Sequence, residues 1–330
     1  MRAVLSASIL AACNKSMYDS FYLSSWSYGQ HTHTTLDADA MWTTDDWIRT
    51  NDTGSEFAWQ NLILACCGND TLYADLSAQL LERTGHAPPV IWHWGGWLPA
   101  AGNHTKAALS LAAHIAEYTA MRTASHGRYL HLPAAPWGIM LADEPPLRDP
   151  ATPDMTLWLA DAVALVKTAL PHAVTYLNLK YGTLACANAN DTQYYSHCRP
   201  DDSSGSRYEL AASLGRMGIG ILSTDQYYSV PIADYRRMYS QVLYPHMQPH
   251  QRVVLLPFAA HCEIGCAVNE RMTSSAVDCS LLATAKAHMD WAHDDDRVTG
   301  MFIYRLKNIW STNATLDACN NPTATGLGLV

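Results

Sequence analysis

Short apolar runs alternate with longer stretches in which apolar residues recur every third or fourth position, and this rhythm continues from residue 17 to about residue 310. The short runs predict strands at Phe21–Ser27, Asn61–Cys66, Pro89–His93, Trp137–Ala142, Val174–Leu179, Gly218–Leu222, Arg252–Pro257 and Gly300–Arg305. The longer stretches predict helices at Asp37–Arg49, Leu72–Arg83, Lys106–Arg122, Met155–Ala169, Tyr208–Arg216, Ile232–Tyr244 and Ala276–His293. Thr71, Thr105 and Asp154 stand where helix N-caps are expected, and Gly85 where a helix should stop. Strands that alternate with helices of this length pair in parallel through right-handed crossovers. Eight such units without a linker predict a single α/β domain, a (β/α)8 TIM barrel, over residues 17–330 with a C-terminal tail. An open doubly wound sheet is the alternative. The first strand is not followed by a glycine-rich fingerprint, so dinucleotide binding has no support, and no cofactor is expected.

Composition narrows the function classes. The 330 residues are 48% hydrophobic and 15% charged, with a net charge of −9. A chain with so little basic surface is not expected to bind nucleic acid. Eleven Trp and 17 Tyr stand against four Phe. The excess supplies rings with a polar edge, suited to stacking on sugars as well as to ordinary packing.

Six Asn-x-Ser/Thr sequons, at Asn14, Asn51, Asn69, Asn103, Asn190 and Asn313, exceed the roughly two that chance would give, and point to a glycosylated secretory protein. Residues 1–16 read as a short signal peptide or leader: Arg2, an apolar run from Ala3 to Ala12, then small residues. Leu10-Ala11-Ala12-Cys13 also fits a bacterial lipobox, a reading the sequons oppose. Nine Cys, or eight once Cys13 is removed with the leader, suit a disulfide framework, in which Cys186 and Cys198 would close the loop after the fifth strand. No later run is long enough to span a bilayer. The expected setting is extracellular or luminal. The sequence does not address oligomeric state.

In a parallel barrel the loops after the strands converge on one mouth. The tips there carry Trp26, Tyr28, Gln30, His31 and His33 after strand one, and His93, Trp94 and Trp97 after strand three. Strand four contributes Asp143 and Glu144, and strand five contributes Asn178, Lys180 and Tyr181. Asp225, Tyr227 and Tyr228 follow strand six, His261 and Glu263 follow strand seven, and Trp310 comes after strand eight. Aromatic faces among amides and carboxylates are what carbohydrate recognition requires, so a carbohydrate substrate is expected. The sharpest feature is Gly138 to Pro146, an apolar strand that ends in two carboxylates and is stopped by Pro145-Pro146.

Over about residues 17–310 the chain resembles the clan A (β/α)8 glycoside hydrolases. Ala142-Asp143-Glu144-Pro145 is similar to the Asn-Glu-Pro found after strand four in many members, with Asp143 in place of the Asn. The resemblance implies Glu144 as general acid/base and a second carboxylate after strand seven, where Glu263 stands. Asp225, nearer its own strand, is the other choice. Glu263 as nucleophile implies retention, and Asp225 as base acting through water implies inversion. Glu144 is expected to hold its proton because of aromatic neighbours and the adjacent Asp143. Asp143, Trp26, Tyr28, His93, Trp94, Trp97, Asn178, Lys180, Tyr227, His261 and Trp310 are the expected substrate contacts.

Two rival readings remain on sequence grounds. One is a carbohydrate-binding barrel without catalysis. The other is a barrel lyase or metal-dependent hydrolase that uses His93, Asp225 and His261. His31 and His33 lack a third convergent ligand, and Cys262-x-x-x-Cys266 reads as disulfide chemistry in a sequon-rich chain, so no metal site is expected.

Overall fold

Among the described residues eight strands form, seven at the predicted places and the sixth about three residues later. They are β1 (Tyr22–Trp26), β2 (Ile63–Ala65), β3 (Val90–Trp92), β4 (Gly138–Asp143), β5 (Val174–Lys180), β6 (Ile221–Asp225), β7 (Arg252–Leu255) and β8 (Val298–Tyr304). The structure is a computed structural model and describes residues 22–26, 62–65, 70–94, 103–124, 126–147, 155–186, 207–225, 231–256 and 286–304. The strands lie in one sheet in the order β1-β8-β7-β6-β5-β4-β3-β2, and every ladder is parallel. β1 and β2 stand at opposite ends of this order, yet their Cα traces come within 8 Å of each other. The sheet therefore curls into an α/β barrel architecture.

The helices between the strands are α1 (Asp70–Thr84), α2 (His104–Ala124), α3 (Met155–Ala169), α4 (Tyr181–Ala185), α5 (Arg207–Met217) and α6 (Ile232–Met238). A π-helical turn, Tyr239–Leu243, and a 3-10 turn, Tyr244–His246, prolong α6, and residues 286–294 form a further helical segment before β8. α4 is a single turn that sequence periodicity does not reveal. The helix expected at Asp37–Arg49 lies outside the described residues, as does the first part of Ala276–His293.

Some boundaries differ from expectation for local reasons. α1 starts at Asp70, ahead of the expected cap Thr71. The cap of α2 is Asn103, whose Oδ1 accepts the Lys106 N–H at 2.9 Å, and Thr105 lies inside the helix. Gly85 does end α1: it sits at φ 75°, and its N–H returns to the Leu81 carbonyl at 2.8 Å. Gly218, expected to open the sixth strand, instead takes φ 67° just after α5, so β6 runs later and Asp225 is its last residue.

Strand alternation sorts the apolar residues into two layers. Leu64, Ile91, Met140, Tyr176, Ile221, Val254 and Phe302 pack together on the inner side of the sheet. Ile63, Trp92, Ile139, Leu141, Leu177, Leu222, Val253 and Met301 face outward onto the helices. Gly138 permits the inner layer to close at β3–β4, because a Cβ there would lie 2.9 Å from Ile91 Cγ1. In the outer layer Asp295 ties the 3-10 turn to the last helical segment: its Oδ2 accepts from Tyr244 Oη at 2.7 Å and from Trp291 Nε1 at 3.0 Å. Burial, together with that carboxylate, pushes the Tyr244 phenol far above its ordinary range.

Candidate active site

The tips of β4, β5 and β6 carry the polar groups that meet on the inner face. On β4 this depends on an irregularity. Met140 pairs with Tyr176 but Ala142 pairs with Leu177, so Leu141 is an extra residue and the ladder resumes with Asp143 opposite Asn178. Leu141 and Ala142 both pack on the outer layer, and Asp143 is thereby turned inward. Simple alternation would have put Ala142 inside and Asp143 outside. A bulge that re-aims one side chain at a strand end is a recurrent device beside functional sites.

Glu144 follows at φ 44°, in the left-handed region that a side-chain-bearing residue adopts at a cost of about 1–2 kcal/mol. Its N–H donates to the Asn178 carbonyl at 2.9 Å, extending the β4–β5 ladder one residue past the strand. The Asn178 side chain holds the neighbouring acid: Nδ2 donates to Asp143 Oδ1 at 2.8 Å. One residue of β5 thus fixes both members of the acidic tip. Pro145, buried, then ends the ladder as expected.

The row continues across β6. Ser223 Oγ donates to Asn178 Oδ1 at 2.6 Å and lies 2.7 Å from the Tyr176 hydroxyl. Tyr176, Asn178 and Ser223 are fully buried. Burial raises the Tyr176 phenol well above its usual pKa; Ser223 opposes that rise, while the charges of Asp225 and Asp143 add to it. Both carboxylates are therefore felt at one buried hydroxyl. Asp225, 3% exposed, pairs in register with the half-buried Lys180.

Some expected mouth residues take other places. Trp94 is 2% exposed and belongs to the outer layer; its Nε1 donates to Asp70 Oδ2 at 2.9 Å, and its ring stacks on His114 at 5.2 Å. The expectation that Trp94 is a sugar platform is corrected: it joins the tip of β3 to α1 and α2. Burial raises the Asp70 carboxyl pKa, against the pull of the Trp94 hydrogen bond and of His114. Tyr181 is likewise buried, packed edge-on against Tyr235 at 5.1 Å. Asn178 was expected to touch substrate, but its amide is occupied at both ends by protein groups, so it holds the site together. Asp143, expected as a supporting neighbour, faces inward. His93 continues β3 past Trp92, its N–H donating to the Ala65 carbonyl at 2.7 Å.

Tyr28, Trp97, Tyr227, His261, Glu263 and Trp310 lie outside the described residues, as do His31, His33, Cys198, Cys262 and Cys266. Trp26 is the last residue of β1. Cys186 is buried and disulfide-bonded. Sequence reasoning passed over Tyr176 and Ser223. Their signal was positional: each is two residues from a suspected site residue on the same strand, and so on the same face. Among the described residues, no helix is long and apolar enough to cross a membrane.

No family model matches the chain. No curated protein matches it by sequence. Solved structures do. An intracellular xylanase from Thermoanaerobacterium saccharolyticum superposes with a TM-score of 0.50 at 10% identity, over 92% of this chain and 90% of that one. A glutamate-to-alanine variant of the same xylanase in complex with xylotetraose gives 0.51 at 9% identity, over 92% and 91%. A xylanase from Thermobacillus composti gives 0.43 at 12%, over 78% and 80%. At these identities the likeness is one of fold, and in fold the chain resembles the clan A glycoside hydrolases, as Ala142-Asp143-Glu144-Pro145 led us to expect.

Proposed function

We propose that this protein is a glycoside hydrolase that cleaves O-glycosidic bonds with a carboxylate pair, with Glu144 as general acid/base, at the mouth of a closed (β/α)8 barrel. The observation that carries this reading is the conformation of Glu144. A glutamate held at φ 44° just beyond a parallel strand, its N–H tied to β5, is a strained residue kept in place by its surroundings. Such strain concentrates at functional sites. The position, at the C-terminal end of a barrel strand, is where catalytic groups of this fold gather.

The leaving oxygen of a glycoside needs a proton, and the anomeric carbon needs a carboxylate or an activated water on its other face. Asp225, buried at the tip of β6, supports the second role, and Glu263 is the alternative. The stereochemistry of the first-formed sugar separates them. Inversion, read by proton NMR of the nascent anomer, assigns Asp225 as base; retention assigns Glu263 as nucleophile.

Xylo-oligosaccharides head the substrate panel because a structural neighbour was crystallised with one. Glu144→Gln is expected to slow reducing-end release by roughly 10²-fold or more while thermal unfolding is unchanged. Undiminished turnover overturns the assignment, and binding of sugars without turnover by the native protein moves the reading to a carbohydrate-binding barrel. The setting we propose is the secretory pathway. Asn103 supports it: the residue is exposed and caps α2 through Oδ1, which leaves Nδ2 to carry a glycan. A loss of mass on endoglycosidase treatment of protein made in secreting cells tests this.

A further inference from the structure

The four side chains that run inward from the acidic tip make a connected row, and its direction is fixed by a count of protons. We propose that Tyr176, Ser223 and Asn178 are positioning residues, a one-way chain of hydrogen bonds that fixes Asp143 as an acceptor and so leaves the transferable proton of the site on Glu144. The inference rests on the acid/base role proposed for Glu144.

The chain starts at the phenol. Tyr176 lies in the apolar inner layer, its ring edge-on to Phe302 at 5.4 Å, and among the described residues the one side chain its hydroxyl meets is Ser223. Burial keeps the phenolic proton in place far above neutral pH. That proton must therefore be given to Ser223 Oγ. Ser223 has a single proton of its own, which goes to Asn178 Oδ1. The amide NH2 is then turned to Asp143, whose Oδ1 accepts.

Reversal fails at the far end. With the amide flipped, Nδ2 would donate to Ser223, and either the Ser223 proton or the buried phenolic proton would be left without an acceptor among these groups. The flipped amide oxygen would also oppose Asp143 Oδ1, which only a protonated Asp143 could satisfy. The polarity that satisfies every group is the one that ends on a carboxylate.

The surrounding charges bear on the same proton. On β5, Lys180 lies two residues beyond Asn178 on the same face. On β6, Asp225 stands in register with Lys180, and on β3, His93 extends the strand beside β4. An anionic Asp143 next to Glu144 makes loss of the Glu144 proton harder, because two adjacent carboxylates resist a second negative charge.

The test breaks the chain at a distance from the reacting atoms. In protein labelled with 13C at the glutamate carboxyls, the Glu144 signal is assigned by its loss in Glu144→Gln. In Ser223→Ala and Tyr176→Phe the Glu144 titration should move to lower pH by about one unit, the scale of one hydrogen bond to a charged group. Ser223→Thr, which keeps the hydroxyl, should restore it. In turnover, the same two variants should lose about tenfold in kcat with KM nearly unchanged, and the upper limb of the pH–rate profile should move down with the titration. A Glu144 titration that is the same in all variants overturns the chain, whatever the activity. If instead the titration moves but Glu144→Gln still turns over substrate, the chain stands and the acid/base reading falls.

Discussion

The tips of β3 and β4 looked alike as sequence: each leaves an apolar strand and reaches a pair of residues suited to binding sugar. The structure treats them oppositely. At β4 the extra residue Leu141 shifts the alternation, so that Asp143 turns inward to Asn178 and Glu144 is held strained at the mouth. At β3 no such shift occurs among the described residues; Trp92 and Trp94 share the outer face, and Trp94 is clamped between Asp70 and His114. A strand end is therefore not a site by virtue of its residues alone. Which face each residue takes is decided by register, and one inserted residue reverses the answer.

This contrast breaks most readily at the largest effect. Glu144→Gln should lower kcat by roughly 10²–10⁴-fold, the usual contribution of a positioned general acid, with the urea midpoint unchanged. A parallel loss of stability would mean that the β4 tip is structural, like that of β3. Trp94→Ala should do the converse. It should cost about 3–5 kcal/mol of unfolding free energy, as buried aromatic truncations do, while the KM of the folded fraction stays within twofold; a rise in KM alone would return Trp94 to the binding surface.

His114→Ala sharpens the same side, since it removes the ring stacked on Trp94, together with that ring's 3.3 Å contact to the exposed Glu117 carboxylate. About 0.5–1.5 kcal/mol of stability should be lost, measured in urea. The smallest effect belongs to Asp70→Asn. Burial raises the Asp70 pKa above 3.8, so the folded state binds the proton more tightly than the unfolded chain does. Its stabilising contribution is full below pH 3.8 and is lost as pH rises through the raised value. Asparagine keeps an acceptor for Trp94 Nε1 without the charge. The variant should therefore match or exceed the native protein at neutral pH, by less than about 1 kcal/mol given the group's partial exposure, and the advantage should vanish on acidification below pH 3.8. A native protein that instead gains stability between pH 3.8 and neutrality relative to the variant would contradict the buried-charge account.

Much of the molecule was legible in the chain. Seven of the eight strands were placed by their apolar runs, and Met155–Ala169 was placed with both ends correct, because the hydrophobic period is a local property of the chain. Two errors were choices between near neighbours, and a third turned on distant groups. Asn103 displaced Thr105 as a cap because its side-chain Oδ1 accepts the Lys106 N–H, and Gly218 went to the end of α5, which moved β6 onto Asp225. Trp94 was misassigned because its partners Asp70 and His114 come from helices on either side of it in sequence.

What the sequence determined by itself is the rhythm of strand and helix, and with it a parallel α/β barrel whose fourth strand ends in two acids. Apolar periodicity and proline's missing N–H are local properties and need no tertiary context to be read. What only the tertiary structure decided is how those acids are aimed. The slip at Leu141, the left-handed turn of Glu144 and the row from Tyr176 to Asp143 depend on hydrogen-bond registers between β4, β5 and β6. Register is a relation between strands more than thirty residues apart, fixed by packing of the finished sheet, and no stretch of chain carries it alone.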